Sequence, residues 1–426
     1  MADSNRILRS RRGALVALIA TLCPALLMGQ DDSSGWNQWR GPQRDGVVQG
    51  ADWPSSLSDT ALRKIWSVAL PPSYSGPVVS DEAVFVTGTE NKETELAIAL
   101  DRRSGKELWR THWPGAMTVP FFAASNGSWI RATPAFDGST LFVAGMRDVL
   151  VALDAQTGKE KWRVDFVEQY KTPLPTFGFA SSPLLDGEWL YVQAGGAFLK
   201  LDKATGKVIW RTLVDNGGMM GSAFSSPVVA TVAGKRQLLV QTRLKLAGVD
   251  PDDGSVLWER EVPNFRGMNI LTPVKIGDSI FTSSYQNKAW LFDVFKADDA
   301  FIVKEAWSNN AQGYMSTPVV IDGHAYMHLQ NQRFTCISLK TGERTWTSKP
   351  FGKYCSMVAH GDRILALDQR GDLLLLKANP KEFELIDQRK ISDEETWAHL
   401  AVSGDELFVR ELNGIKSFRW KGADVD

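Results

Sequence analysis

Cysteine is scarce in this chain of 426 residues: there are 3, and only 5 histidines stand beside them. So few soft ligands exclude a zinc-finger array and a disulfide-stapled scaffold. An excess of charge of one sign is missing too, since Lys+Arg 48 stands against Asp+Glu 49 for a formal net charge of −1. Nucleic-acid binding by phosphate neutralisation is therefore not expected. No GxSxG, HExxH or phosphate-cradling glycine motif occurs, which removes the best-marked hydrolase, zinc-protease and nucleotide-binding classes. His324 and His328 have the i, i+4 spacing that shares a metal on a helix, but the surrounding pattern reads as a strand. There the two rings stand roughly 13 Å apart, too far for one ion. No metal site is expected.

Amphipathic helix patterns are nearly absent as well, while 36 glycines and 16 tryptophans suit strands and turns. Residues 132–166, ATPAFDGSTLFVAGMRDVLVALDAQTGKEKWRVDF, read at period two as four short strands with turns at Asp137-Gly138 and Thr157-Gly158. A lone four-stranded meander exposes two edges and cannot bury itself, so it needs neighbours of the same kind. The chain supplies them. ALDRRSGKELW (99–109), ALDAQTGKEKW (152–162), KLDKATGKVIW (200–210), GVDPDDGSVLW (248–258) and CISLKTGERTW (336–346) share one register, with glycine four residues before tryptophan. A second anchor runs in the same phase: GPVV at Gly76, ATPAF at Ala132, SSPLL at Ser181, SSPVV at Ser225, LTPVK at Leu271 and STPVV at Ser316, with weaker copies at Ser356 and His399. These make eight units of about 40–55 residues, the period of propeller blades.

The fold expected is all-β: an eight-bladed β-propeller of four-stranded antiparallel blades. Trp66, Trp109, Trp162, Trp210, Trp258, Trp307 and Trp346 occupy the fourth strands as inter-blade wedges, and the seventh unit carries Leu385-Ile386 there instead. KIWSVAL (64–70) is an isolated fourth strand, and the last unit (396–420) has only three. The N-terminal strand is therefore expected to complete the last blade and close the ring. Residues 1–29 read as an export signal, with Arg6, Arg9, Arg11 and Arg12 ahead of an apolar run; cleavage near Gly29 or retention as an anchor are both open. Residues 30–63, with WNQWRGPQRDG (36–46), are an irregular arm anchored by Trp36, Trp39 and Trp53, residues 64–421 the propeller, and 422–426 a tail. Cys336 and Cys355 read as two buried thiols, with a disulfide between them in an oxidising compartment as the alternative.

Candidate functional residues follow from topology. Loops into the innermost strands carry Tyr74, Trp129, Phe179, Phe224, Tyr314, Tyr354 and Trp397, and His399 takes the slot filled elsewhere by the hydroxyl residue before proline. Turns between second and third strands share that face and carry Arg147, Gln193, Arg243, Gln286, Gln330, Gln369 and Arg370. One channel face should thus present aromatics with polar groups, as ligand sites do. The competing reading makes the aromatics wedges and the amides plain turn residues. The Ser/Thr-Pro pairs are structural, since proline's missing N–H falls at a strand's start.

The ALDxxTGKxxW register resembles the repeat of quinoprotein-type (pyrroloquinoline-quinone) propellers, and residues 64–421 resemble the non-catalytic branch typified by BamB. The resemblance implies eight blades around a central channel. It also implies an exported, periplasmic or extracellular, monomeric scaffold that offers its channel face to a peptide, protein or glycan. The other branch, quinone-dependent dehydrogenases, carries an adjacent cysteine pair beside the cofactor and ligands for calcium. This sequence has no Cys-Cys dipeptide and no evident calcium set, so no cofactor is expected and pyrroloquinoline quinone with calcium is disfavoured.

Overall fold

The computed structural model describes residues 35–50, 53–215, 217 and 223–420; residues 1–29, expected as an export signal, and the expected tail 422–426 lie outside the described residues. It is an eight-bladed β-propeller. Eight antiparallel sheets of four strands follow each other in chain order, and the last is completed by the N-terminal strand Leu62–Ala69. That strand pairs with Gly414–Trp420, from Leu62 opposite Trp420 to Ala69 opposite Gly414. Innermost strands are short, two residues at Val78–Val79 and Ala135–Phe136, because the Ser/Thr-Pro residues ahead of them bond to the next blade instead of to their own. Second and third strands are almost wholly buried, as in Thr140–Gly145 and Val149–Asp154, and fourth strands alternate towards solvent.

The two sequence anchors meet in space. Each fourth-strand indole reaches the next blade's turn between third and fourth strands and donates its N–H to a carbonyl there. Trp66 bonds Arg102 O, Trp109 Ala155 O, Trp162 Lys203 O, Trp307 Leu339 O and Trp346 Asn379 O, at 2.8–3.0 Å. The turn glycine packs flat on the same indole. Gly206 has φ +71°, and a Cβ added there would lie 2.6 Å from the Trp162 ring. Handedness and space therefore both demand glycine. The exception follows the same logic. Blade 5 has no such glycine turn, and Trp258 turns back to Gln237 Oε1 of its own blade at 2.7 Å.

Blade 7 lacks the tryptophan, and the N-terminal arm fills the place. Leu57 N–H and Ser56 Oγ donate to Asp387 at 2.6 and 3.1 Å, Arg389 donates to Leu57 O and Leu62 O, and Trp53 stacks on Trp420. A buried apolar cluster joins Trp36, Val48, Trp53, Leu57, Leu62, Trp66 and Leu70 of the arm and closing strand to blades 1, 7 and 8. Cys336 and Cys355 are buried, unbridged thiols.

Candidate functional site

Where the chain enters the innermost strands of blades 2 to 6, the Ser/Thr before proline faces the channel. Its hydroxyl accepts the backbone N–H of the equivalent residue in the preceding blade. Gly76 N–H donates to Thr133 Oγ1, Thr133 to Ser182, Ser182 to Ser226, Ser226 to Thr272 and Thr272 to Thr317, at 2.9–3.2 Å. The backbone groups freed by short inner strands are thereby satisfied around the channel. Only a hydroxyl on a short stem can accept there without filling the channel.

Above this ring lies a cavity of about 210 Å³ lined by all eight blades. One wall is a continuous arc of rings: Tyr74 stacks on Trp397 at 4.5 Å, Trp397 meets Tyr354 at 4.0 Å, and Tyr354 meets Tyr314 at 5.4 Å. Tyr285 extends the arc behind Tyr314. Phe177 and Phe224, 5.6 Å apart, form the facing wall.

The floor comes from the N-terminal arm, which enters the opposite mouth of the channel. Trp36 makes a bridge with Val79, Asn37 O accepts from Phe136 N–H, and Gly46 and Val48 pair with Ala359. At the tip Trp39 lines the cavity with His399 edge-on at 5.8 Å. Arg40 and Arg44 hold it from behind, each guanidinium 5.6 Å from the indole. Arg40 donates to Thr317 O, Pro318 O and Asp45 O, and Arg44 to Pro183 O and Ser182 O. The channel is therefore a cup with one open mouth. Burial pulls Arg40 down to about 10 and Arg44 to about 9, so both stay charged at neutral pH.

Tyr74, Phe224, Tyr314, Tyr354, Trp397 and His399 line this cup. Trp129 does not; it stands behind Tyr74 with its indole against the Tyr74 hydroxyl. Phe179 is buried between blades 2 and 3 as a packing residue. The polar turn residues stay outside the lining as well. Gln193 is buried and donates to Ser225 O and Gln241 O, and Arg243 is buried over Phe224 with a bond to Arg266 O. Gln369 donates to Glu395, Gln286 to the Tyr285 hydroxyl, and Arg370 lies beside Asp368. Arg147 is exposed on blade 2, and Gln330 is half-buried on blade 6. The reason is geometric: a turn between second and third strands sits one strand further from the axis than the hydroxyl ring. Sequence reasoning did not single out Trp39 as the floor, nor Arg131 and the hydroxyl ring as the polar lining. The hydroxyl slot recurs in the sequence and carried that signal; the arm's destination did not.

His399 keeps its Nδ1 on Leu400 O at 2.9 Å, and burial with Arg40 nearby pushes its pKa down to about 3. It is neutral at physiological pH and serves as a ring, not a charge. Two buried carboxyls flank the cup's outer shell. Glu95 accepts from Met146 N–H and Trp113 Nε1, with Gly115 leaving room for it; Asp148 accepts from Gly195 N–H. Desolvation pushes each up to about 7. The folded state thus holds these protons more tightly than the unfolded chain. The resulting stability is complete below about pH 4 and lost as pH rises through 7, by on the order of 3–4 kcal/mol for each group. Melting temperature should therefore fall between pH 5 and pH 8 (about the span of the two titrations), and Glu95→Gln with Asp148→Asn should flatten that slope. An unchanged slope in the double variant would assign the pH dependence to other groups.

Comparison with known proteins adds the family context. A family model described as outer membrane protein assembly factor BamB matches residues 92–348. The outer membrane protein assembly factor BamB of Moranella endobia (strain PCIT) is 23% identical over 374 residues, 83% of this chain and 88% of that one. The BamB of Yersinia pestis is 20% identical over 339 residues, 78% of this chain and 72% of that one. The crystal structure of BamB from Moraxella catarrhalis matches with a TM-score of 0.62 at 14% identity, covering 84% of this chain and 100% of that one, a likeness of fold.

Proposed function

We propose, from the premise that this chain belongs to the family of the outer membrane protein assembly factor BamB, that it is an exported scaffold whose channel face docks a protein partner. The observation that carries this reading is the apolar rim around the aromatic cup. Phe121 is 91% exposed and Phe122 54%, with Phe265 at 41% and Met315 at 40%, all on loops that surround the open mouth. Clustered exposed aromatics beside a pocket are the usual anchors of protein interfaces. Leu108, Ile209 and Val256, the exposed apolar residues of the outer strands, are single and need no such account. The relatives' name as assembly factors supports a partner that is protein.

The cup's residues do not fit pyrroloquinoline quinone with calcium. No carboxylate side chain lines the cavity to ligate the ion, and the cavity's Cys355 has no neighbouring cysteine in sequence. The reading therefore assigns no redox chemistry. It also takes the protein as a monomer delivered by the N-terminal export segment.

The test is site-specific photocrosslinking in cells that express the protein. A photoreactive phenylalanine analogue at Phe121 or Phe265 should give one discrete protein adduct, and the same analogue at Leu108 or Val256 should give none. Adducts from the outer strands with none from the rim would overturn the channel-face assignment.

A further inference from the structure

The chemistry of the cup and its rim narrows the partner, if the channel face is the docking site argued above. Every ionisable side chain that lines the cavity is basic or neutral: Arg131 is the cation, and His399, the tyrosines and Cys355 are uncharged. Behind Trp39 stand the guanidiniums of Arg40 and Arg44, with Asp45 as the acid beside Arg40. The rim on blades 5 to 7 adds exposed cations next to the aromatics. The Arg266 guanidinium lies 5.0 Å from the Phe265 ring, the Lys353 ammonium 5.1 Å from Tyr354, and Lys288 is exposed in the turn that carries Tyr285. Arg266, Lys288 and Lys353 form no salt bridge among the described residues.

The carboxylates nearest the aromatic arc, Glu394 and Glu395 in the loop into blade 8 beside blade 7, are engaged. Glu394 accepts from Asn413 N–H and Glu395 from the Gln369 amide. A cationic, aromatic, carboxylate-free cup offers donors and π faces but no anionic partner for a cation. Hydrogen-bond acceptors and negative charge are stabilised there by the arginine donors, while a lysine side chain would meet ring faces and the repulsion of these guanidiniums but no carboxylate.

We propose that the channel face recognises an acidic, extended protein segment that carries an apolar side chain: the apolar group fills the cup, and flanking carboxylates meet Arg266, Lys288 and Lys353. The cations steer and set specificity, and the aromatics supply most of the affinity.

The experiment measures binding of short fluorescein-labelled peptides to the full chain by anisotropy. The probes are a Glu/Gly peptide with one central Phe, its Gln-for-Glu analogue and its Lys-for-Glu analogue. The acidic peptide should bind best, and should weaken several-fold as salt rises through the range where the Debye length falls below about 8 Å. Charge reversal by Arg266→Glu, Lys288→Glu and Lys353→Glu together should weaken it by about tenfold or more while melting temperature stays unchanged, since all three side chains are exposed. Phe121→Ser with Phe122→Ser should weaken all peptides that bind.

Equal binding of the acidic and Gln peptides would overturn the acidic specificity and leave the docking face standing. Failure of every peptide, alongside a discrete crosslink from Phe121, would do the same. Failure of every peptide together with no rim crosslink would remove both readings.

Discussion

A chain lacking residues 35–69 should not fold cooperatively. The deletion removes the strand that pairs with Gly414–Trp420 and strips Trp36, Val48, Trp53, Leu57, Leu62 and Trp66 from the core. Burying a large apolar side chain is worth about 1.5–3 kcal/mol, so the loss is on the order of 10–15 kcal/mol. Even as an upper estimate this equals the whole stability of a typical protein, about 5–15 kcal/mol. The seam between blades 8 and 1 would also lose Trp66, whose N–H holds Arg102 O. Arg102 itself bridges to Glu406 at 2.6 Å across that seam. The outer edge of Gly414–Trp420 would then lie unpaired, a template for aggregation. Thermal unfolding followed by circular dichroism should show no sharp transition in the truncated protein. A transition at the parent's temperature would mean that the ring closes without its N-terminal strand.

The fold was legible because its determinants are local and repeated. Glycine and tryptophan stand four residues apart in five copies, and the contact that a turn glycine makes with the preceding blade's indole, Gly206 on Trp162 for instance, recurs from blade to blade. Ser/Thr before proline marked the start of the inner strand in five blades for a similar reason. What the sequence concealed has long-range or one-off causes. Nothing near Arg40 announces that its partners are the carbonyls of Thr317 and Pro318. Gln193 and Arg243 looked like channel residues because their turns share a face with the cup. The depth of a turn along the blade, which puts them behind the hydroxyl ring, is set by strand packing. Residue type does not report it. Aromatic loop residues split for the same cause: Tyr354 and Trp397 reached the cup, while Phe179 sank between blades.

The arm links stability to the site, and Arg40 is where the link is strongest. Its backbone has φ +62°, an unfavourable conformation for a branched or long residue, so something must hold it there. That something is the side chain, 1% exposed, which donates to three carbonyls from two different segments. Arg40→Met keeps the length and loses every donor. The two buried carbonyls of Thr317 and Pro318 are then left without that partner, at about 1–3 kcal/mol each before relaxation, and the part-buried Asp45 carbonyl loses its donor too. A net loss of about 3–5 kcal/mol is expected, the range for breaking a buried charged contact. Arg40→Lys should recover little, because an ammonium cannot span acceptors that a planar fork spans. Arg110→Met provides the contrast. Arg110 bonds Glu107 and Glu90 on the surface, and its loss should cost under about 1 kcal/mol. Denaturant unfolding of the three variants measures these differences directly. Limited proteolysis supplies a second readout, since Arg40→Met should free the arm and expose the 36–48 segment to cleavage while the blades resist. With the arm released, Trp39 no longer floors the cup, and peptide binding at the rim should weaken even where the propeller remains folded. If Arg40→Met melts with the parent and its arm stays protected, the guanidinium is not what holds the plug, and the aromatic anchors Trp36 and Trp53 carry that role alone.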